Sequence, residues 1–494
     1  HRTLSNKYFS FRMSPHQPLG GTVIKLREKG EKTIESELKS TFFVSTKTTK
    51  NSMVEANIAI IKELKQYLEE ISMNAEKRKE YTRSEKDFTR DRVLTFSCLA
   101  GFLLHLPQRS LSIELREYLD RFSSGTSVSK SAFSQQRVKL KPTFFQQWNQ
   151  LLTDRFYHHY GEKVKRWRGY LLQAVDGSCC YLFNKKEVLN HFGSQDNQHV
   201  RIPMARLMQV YDVLNELVVW ADIYPVKKSE QSIMYSRVNT LSEKSITLFD
   251  RGYPSFALIY LLQHQDKERL FVMRCRSDFN KEIKLFLRSA ATDIITEFTA
   301  TEKAIKTLHD QGYDITKSDS VKIRLVKIIL SSGQTEVLIT NLLDQKSYSL
   351  EDLSYLYSLR WPVETSYGHQ KNIQQLEQFS GHRVICIEQD YHAGVFTANL
   401  QSLIEKQSSE YLNAVSRQRK YQYKINRNVS LAGLKKNVYQ LFLQADPKEI
   451  LIYLQYLFES CLEPVRPDRK VKRYKKARRL NGKYQTLTNY KRAI

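Results

Sequence analysis

The chain has 494 residues, with 78 Lys and Arg against 52 Asp and Glu, which gives a formal net charge of +26 at pH 7. This length is more than one hydrophobic core requires and predicts several domains. The positive charge favours a polyanionic partner. Nucleic acid is favoured over a membrane surface, because no run of about 18 apolar residues is present. The six cysteines are scattered and form no Cys-x-x-Cys pair, so we expect neither a zinc site nor a disulfide framework.

The N-terminal part is predicted to be a polar arm followed by a helical segment. Residues 1–53 are polar and lack periodicity, which is typical of a flexible arm. Residues 54–165 carry helical apolar patterns and are predicted to form a DNA-binding domain. Near its end a serine cap and an apolar step precede Arg137, Lys139 and Lys141. This pattern indicates a helix-turn-helix DNA reader, with a solvent-facing basic helix as an equal alternative.

Short apolar strands then replace the helical pattern, and residues 166–276 are predicted to be the first part of a catalytic core. A buried strand over residues 170–175 is predicted to end at Asp176. After a hairpin and a helix, a second buried strand over residues 246–249 ends at Asp250. Each aspartate taken alone is equally compatible with a turn. Carboxylates at the ends of neighbouring strands lie roughly 5 Å apart, however, and could share metal ions.

The remaining segments are an insertion, the rest of the core and a helical end. Residues 277–335 mix helix and strand patterns and are predicted to be an insertion, after which residues 336–410 complete the core. The helices of residues 411–463 have apolar stripes that indicate core packing, with a dimer surface as the alternative. Residues 464–494 form a basic tail for which we expect non-specific phosphate contacts, the alternative being a solvated tail.

One motif combines Tyr357, Arg360, Glu364 and Lys371 in the spacing Tyr-x2-Arg-x3-Glu-x6-Lys. On one continuous helix these side chains would lie within an arc of about 60°. A carboxylate between two cations suits a metal-binding oxygen ligand beside groups that hold phosphate. Two alternatives stay open. Arg360 and Glu364 could form an ordinary surface ion pair, and Pro362 could begin a new helix and divide the motif.

Asp176, the Asp-Arg-Gly-Tyr segment of residues 250–253 and the Tyr/Arg/Glu/Lys motif together resemble the DDE transposases of bacterial cut-and-paste insertion sequences. Within these transposases the resemblance is to the insertion-sequence-four family, whose named signature is this Tyr/Arg/Glu/Lys spacing. The resemblance covers about residues 90–410. It implies an α/β ribonuclease-H-like catalytic core with an α+β, β-rich insertion, flanked by α-helical N- and C-terminal domains.

The resemblance also implies a chemistry. Asp176, Asp250 and Glu364 would be the catalytic residues and would bind two Mg²⁺ ions, for which Mn²⁺ can substitute. The ions would promote in-line displacement at phosphorus during cleavage and joining of DNA. DNA-phosphate contacts are implied for four residues: Tyr357, Arg360, Lys371 and Arg251.

Excision through a DNA hairpin is a further implication, with Trp361 stacking on an extruded base. Members of the family also use an aromatic residue, commonly Trp, from the inserted segment to hold this base. Here residues 277–335 contain no Trp. The aromatic residues available there are Phe279, Phe286, Phe298 and Tyr313.

The implied partners are double-stranded DNA, as terminal inverted repeats and as target, and a second copy of the chain in a synaptic homodimer. The expected location is the bacterial cytoplasm, at the nucleoid and not at a membrane. Two alternatives to a transposase are a catalytically silent or domesticated DNA-binding relative and a ribonuclease-H-like nuclease without strand transfer.

Overall fold

The computed structural model describes residues 52–466 except 91, 108, 122–124, 126, 197–200, 265–266, 330–332 and 444–445. Residues 1–51 of the predicted arm and 467–494 of the predicted tail lie outside the described residues. The described residues belong to one compact unit. None of the helices in the described ranges has the length and apolar character that a membrane span requires.

The described helices occur both before and after the strands, and several are inserted between strands. They are α1 (Ser52–Met73), α2 (Ala75–Arg78), α3 (Phe96–Leu104), α4 (Leu111–Leu119), α5 (Lys130–Arg137), α6 (Thr143–Tyr160), α7 (Lys186–Phe192), α8 (Glu230–Tyr235), α9 (Phe256–His264), α10 (Lys281–Arg288), α11 (Glu302–His309), α12 (Leu350–Ser358), α13 (Pro362–Asn372), α14 (Val384–Glu405), α15 (Ser409–Gln418), α16 (Arg427–Leu443) and α17 (Lys448–Ser460).

The strands are β1 (Leu171–Tyr181), β2 (Ser194–Asp196), β3 (Arg201–Asp212), β4 (Leu217–Pro225), β5 (Ser245–Phe249), β6 (Leu270–Cys275), β7 (Asp293–Thr299), β8 (Ser320–Ile329), β9 (Thr335–Thr340), β10 (Gln422–Ile425) and β11 (Leu462–Val465). The last two form a small antiparallel ribbon, and the others form one mixed sheet.

The centre of the large sheet has the order β4-β3-β1-β5-β6. Strands β1, β5 and β6 are parallel, and β3 is antiparallel to both β1 and β4. Residues 171–175 and all of β5 are buried, as expected for central strands covered on both faces. This mixed sheet with helices fits the α/β catalytic core that the sequence predicts.

Three further strands continue this sheet: β7 and β8 lie in the predicted insertion, and β9 lies almost wholly in the predicted second part of the core. Strand β9 pairs with β6, β8 pairs with β9, and β7 pairs with β8, all antiparallel. The segment between the second aspartate and the motif therefore lengthens the core sheet on the side of β6. As a result, side chains from β6 and β9 lie close to the end of β5.

Helices from both ends of the chain share one hydrophobic core around Trp148 on α6. The Trp148 ring stacks on Phe396 of α14 with a centroid distance of 4.3 Å, and it lies 4.9 Å from Phe442 of α16. Its indole N–H donates to the carbonyl of Leu64 on α1 at 3.0 Å. Because α14 directly follows the motif helix α13, this core anchors the segment that carries the predicted motif.

Arg137 does not face solvent, and its predicted role in reading DNA is wrong. The residue is 1% exposed. Its Nη2 atom pairs with Asp390 at 2.7 Å, its Nε donates to Gln389 at 2.7 Å, and its Nη1 donates to Ser380 at 2.6 Å. Each guanidinium nitrogen has an acceptor inside the protein, and these contacts tie the end of α5 to α14.

Lys139 and Lys141 follow the end of α5 and are also engaged within the chain. Lys139 Nζ donates to Gln136 at 3.0 Å, and Lys141 Nζ donates to the carbonyl of Glu80 at 3.1 Å. These contacts fasten the segment to its neighbours. They give no support to the predicted role of this segment as a DNA reader.

We expect Arg137→Ala to lower the free energy of unfolding by about 3 kcal/mol, because it leaves the Asp390 carboxylate, whose side chain is only 12% exposed, without its ion-pair partner. Urea denaturation followed by circular dichroism measures this change. The matched control is Arg116→Ala, which removes an 80% exposed side chain whose ion pair with Asp120 spans 3.9 Å. A control effect below about 1 kcal/mol is expected, and equal effects of the two changes would contradict a structural role for Arg137.

Candidate functional site

Two of the predicted acids lie next to each other on neighbouring strands. The parallel ladder between β1 and β5 ends with the pair Val175 and Phe249, and the next residues on the two strands are Asp176 and Asp250. Strand β1 continues to Tyr181, so the prediction that it ends at Asp176 is wrong. The extra length exists because β1 also pairs with β3 beyond the point where β5 stops.

The motif is divided between two helices, so the predicted single stripe is wrong. Helix α12 ends at Ser358, and α13 begins at Pro362. The proline ring suits the first helical turn, where its missing N–H would have no partner. Tyr357 therefore lies in the last turn of α12 and Arg360 in the connection, whereas Glu364 is in the first turn of α13.

Tertiary contacts nevertheless bring motif residues to the acids. Tyr357 Oη donates to Asp250 Oδ1 at 3.2 Å. Arg360 Nη2 donates to Glu364 Oε1 at 2.5 Å, and Arg360 is only 7% exposed. The Arg360 guanidinium also acts electrostatically on both Asp176 and Asp250. The alternative of an Arg360–Glu364 ion pair is therefore realised, with the Arg360 side chain buried and the Glu364 side chain 37% exposed.

Helix α13 is held against β1 beside Asp176. Tyr367 Oη donates to the carbonyl of Asp176 at 3.0 Å. Lys371 Nζ donates to Ser178 Oγ at 2.7 Å and to the carbonyl of Cys179 at 2.6 Å. The Lys371 ammonium group is thus hydrogen-bonded to β1, at the residues two and three positions after Asp176.

Two charged residues at the site, Arg274 and Glu230, were not predicted from the sequence. Arg274 Nη2 pairs with Asp250 Oδ1 at 2.9 Å. Glu230 acts electrostatically on Asp176, and a Cβ on Gly177 would lie 2.4 Å from the Glu230 carboxyl carbon. Arg274 had a usable signal, because it is a charged residue in an apolar strand. Glu230 had none, because it lies in the first turn of a short helix.

The two aspartates have opposite electrostatic environments. Burial raises the pKa of Asp176 to about 7; Arg360 opposes this shift, while the carboxylates of Glu230 and Glu364 add to it. Burial also acts to raise the pKa of Asp250. There the backbone amide of Arg251, the charges of Arg274 and Arg360 and the Tyr357 hydroxyl outweigh it, so the pKa is lowered.

The donor types suit a divalent cation. Asp176, Asp250 and Glu364 offer the hard oxygen ligands that Mg²⁺ prefers. Burial is the main cause of the raised pKa of Asp176, and the Glu230 and Glu364 carboxylates add to it; a bound cation would stabilise the charged form of Asp176 against both effects. Among the described residues, however, no three His, Cys, Asp or Glu side chains are arranged as a ready metal-ligand set. Glu364 and Asp250 are instead paired with Arg360 and Arg274.

The remaining predicted residues differ in exposure. Trp361 is 60% exposed, and Arg251 is also exposed, so both are available to a ligand. Among the aromatic residues of the predicted insertion, Phe286 and Phe298 are 2% and 3% exposed and cannot stack on a base. Phe279 and Tyr313 are half-buried against the same core.

The raised pKa of Asp176 leads to a stability prediction. Above the unfolded pKa of about 4, the unfolded chain loses this proton while the folded protein keeps it up to about pH 7, so the group lowers the free energy of unfolding as pH rises through this window. The asparagine side chain of Asp176→Asn does not titrate, so the wild type should lose stability over this range and Asp176→Asn should not. We therefore expect the free energy of unfolding of Asp176→Asn, relative to that of the wild type, to rise by about 1–2 kcal/mol from pH 5 to pH 8 in EDTA.

Urea denaturation at the two pH values measures this gain. Glu85→Gln is the control, because that side chain is 82% exposed and its ion pair with Lys79 spans 4.0 Å. Lysine does not titrate between pH 5 and pH 8, so the stability of this variant relative to the wild type should not change in that range. Parallel pH profiles for Asp176→Asn and the wild type would contradict the proposed environment of Asp176.

Part of the chain that carries this site is similar to a known protein family. Residues 167–400 match a family model described as "Transposase DDE domain". "Putative transposase InsZ" of Escherichia coli (strain K12) is 28% identical over 110 residues, which are 22% of this chain and 37% of that protein. The chain thus spans well under half the length of this curated relative.

A solved structure, "Cryo-EM structure of piggyBac transposase synaptic complex with hairpin DNA (SNHP)", aligns over 86% of this chain and 90% of that chain, with 11% identity and a TM-score of 0.40. An alignment with this score does not establish a shared fold or function. The family match, by contrast, includes the sheet centre and all three predicted acids, and together with the similarity to InsZ it supports a DDE transposase domain in this part of the chain.

Proposed function

We propose that this protein is a DNA transposase that cleaves at the ends of its own mobile element and joins the 3′ ends to target DNA. The observation that carries the proposal is the placement of Asp176 and Asp250 directly after the last pair of the β1/β5 ladder. Glu364, whose charge acts on Asp176, completes the set. All three residues lie within the segment that matches the transposase DDE domain.

Asp176, Asp250 and Glu364 are proposed to hold two Mg²⁺ ions, with Mn²⁺ able to substitute. When bound, the ions supply the Lewis acidity that an in-line displacement at phosphorus requires. The chain orients the ligands through its own contacts. Tyr357 donates to Asp250, and Tyr367 holds the backbone of Asp176, so both aspartates are fixed from the motif side.

DNA phosphates are proposed to bind Tyr357, Arg360, Lys371 and Arg251. Arg251 is exposed, whereas Arg360 and Lys371 already have partners within the chain. Lys371 would exchange a neutral acceptor for a charged phosphate oxygen, which makes a stronger hydrogen bond, and Arg360 would exchange a carboxylate for a phosphate of the same class of strength. Trp361, which is 60% exposed, is proposed to stack on an extruded base during excision through a hairpin.

The proposed partners are the terminal inverted repeats of the element, target DNA and a second copy of the chain. The net charge of +26 supports binding to a polyanion. A homodimer is proposed because two element ends have to be held together for excision. The proposed location is the bacterial nucleoid, where these partners meet.

The decisive experiment uses linear DNA that carries this gene with its native flanks. The purified full-length protein is incubated with this DNA and Mg²⁺, and the products are resolved on native and denaturing gels. Discrete excision at flanking inverted repeats, followed by joining of the 3′ ends to a second DNA, is expected. Binding without cutting would favour a silent relative, and scattered nicks without joining would favour a nuclease.

In this assay we expect Asp176→Ala, Asp250→Ala and Glu364→Ala each to abolish cleavage while DNA binding, measured by gel shift, stays close to the wild-type level. The physical reason is that each change removes an anionic oxygen ligand without removing a DNA-binding cation. Asp314→Ala, which alters an exposed acid away from the site, should cleave normally. Full Mg²⁺-dependent cleavage by any of the three variants would refute the assigned site.

A further inference from the structure

We propose that Arg274 is a built-in counter-ion that competes with a divalent metal ion for Asp250, and that Glu336 sets how readily Arg274 gives way. This inference rests on the proposed metal site. It concerns two residues to which the sequence motif gives no role. Both come from strands on the far side of β5 from Asp176: Arg274 lies on β6, and Glu336 lies on β9.

Strand register places Arg274 at the site. The ladder between β5 and β6 ends with the pair Phe249 and Met273, so Asp250 and Arg274 are the next residues on the two strands. Asp176 occupies the corresponding place on β1. The neighbouring parallel strands β1, β5 and β6 therefore bring Asp176, Asp250 and Arg274 to one level of the sheet. The two aspartates could bind a metal ion, whereas the arginine could not.

The Arg274 guanidinium is shared between two carboxylates. Nη2 lies 2.9 Å from Asp250 Oδ1, and Nη1 lies 2.7 Å from Glu336 Oε1. All three side chains are partly buried, with exposures of 23% for Arg274, 30% for Asp250 and 13% for Glu336. Both ion pairs are therefore partly shielded from solvent, and each counts for more than a surface pair.

The third donor position of this guanidinium is unused. Arg274 Nε is buried and has no hydrogen-bond partner among the described residues. A buried donor without a partner costs free energy, so this position is not the best that the guanidinium could occupy. Together with the shared Nη contacts, the unused donor indicates a side chain that can move away from Asp250 and keep Glu336.

Competition follows from charge alone. A divalent ion bound to Asp250 would lie beside a guanidinium that is itself within hydrogen-bond distance of the same carboxylate, and the two cations repel each other. Arg274 must therefore move toward Glu336 when the ion binds. By linkage, anything that weakens the hold of Arg274 on Asp250 tightens ion binding, and anything that strengthens the hold weakens it.

The two residues thus have opposite expected effects. Arg274→Gln removes the competing charge and should tighten Mn²⁺ binding about fivefold. Glu336→Gln removes the alternative carboxylate, leaves Arg274 with Asp250 and should weaken Mn²⁺ binding by about the same factor. Arg274→Lys keeps a positive charge and should bind Mn²⁺ close to the wild-type level. A residue that only maintains the local structure would not produce opposite signs.

The test measures free Mn²⁺ by electron paramagnetic resonance during titration of the full-length protein without DNA, so it does not depend on activity. Arg276→Gln is the matched control. It removes an arginine two positions further along the chain whose partner is the exposed Asp278, at 3.0 Å, and it should leave Mn²⁺ affinity unchanged. Circular dichroism confirms that each variant is folded, and Glu336→Gln tests the proposal even if Arg274→Gln does not fold.

The variant Asp250→Asn separates a failure of the proposed metal site from a failure of the proposed counter-ion role of Arg274. Equal Mn²⁺ binding by Asp250→Asn and the wild type would refute the metal site itself. If Asp250→Asn loses Mn²⁺ while Arg274→Gln fails to tighten binding or Glu336→Gln fails to weaken it, the metal site stands and the counter-ion proposal is overturned.

Discussion

Carboxylates that gather at one partly buried edge of a sheet repel each other, and the arrangement around Asp176 and Asp250 depends on how that repulsion is balanced. Arg274 neutralises Asp250 at 2.9 Å, and Arg360 neutralises Glu364 at 2.5 Å. Asp176 has two further carboxylates nearby, and its pKa is raised to about 7 by burial and by these neighbours. The negative charge of the site is thus balanced by two arginines and by the proton that Asp176 takes up. A divalent ion bound to these carboxylates would take over that balancing charge.

The surrounding fold keeps these charges in place through contacts that lie away from them. Helix α13 is attached to β1 by Tyr367 and Lys371, and the following helix α14 is held by the aromatic stack on Trp148. The buried Arg137 adds a polar connection from α5 to α14. Helices at both ends of the chain therefore contribute to the position of Glu364, although none of them carries a residue of the proposed site.

Much of the core was predictable because strands that are buried on both faces read as apolar runs. The runs that end near Asp176 and Asp250 predicted two neighbouring strands, and the register of β1 and β5 brings the two acids together. The local structure of the Tyr/Arg/Glu/Lys motif was harder to predict. Its spacing suggests one helical stripe, but the chain breaks between Ser358 and Pro362, and tertiary contacts restore what the local geometry does not provide.

The sequence by itself determined the positive charge, the two apolar strands with their aspartates and the spacing of the motif, because these depend only on residue types and short separations. Only the tertiary structure decided which cations face which acids. The sequence pattern predicts that Arg137 reads DNA, but the residue is buried and structural. Conversely, no sequence pattern marks Arg274 or Glu336, and the structure places Arg274 between Asp250 and Glu336. The physical reason is that an ion pair joins residues far apart in the chain, so its partners are fixed by strand register and packing and not by local sequence.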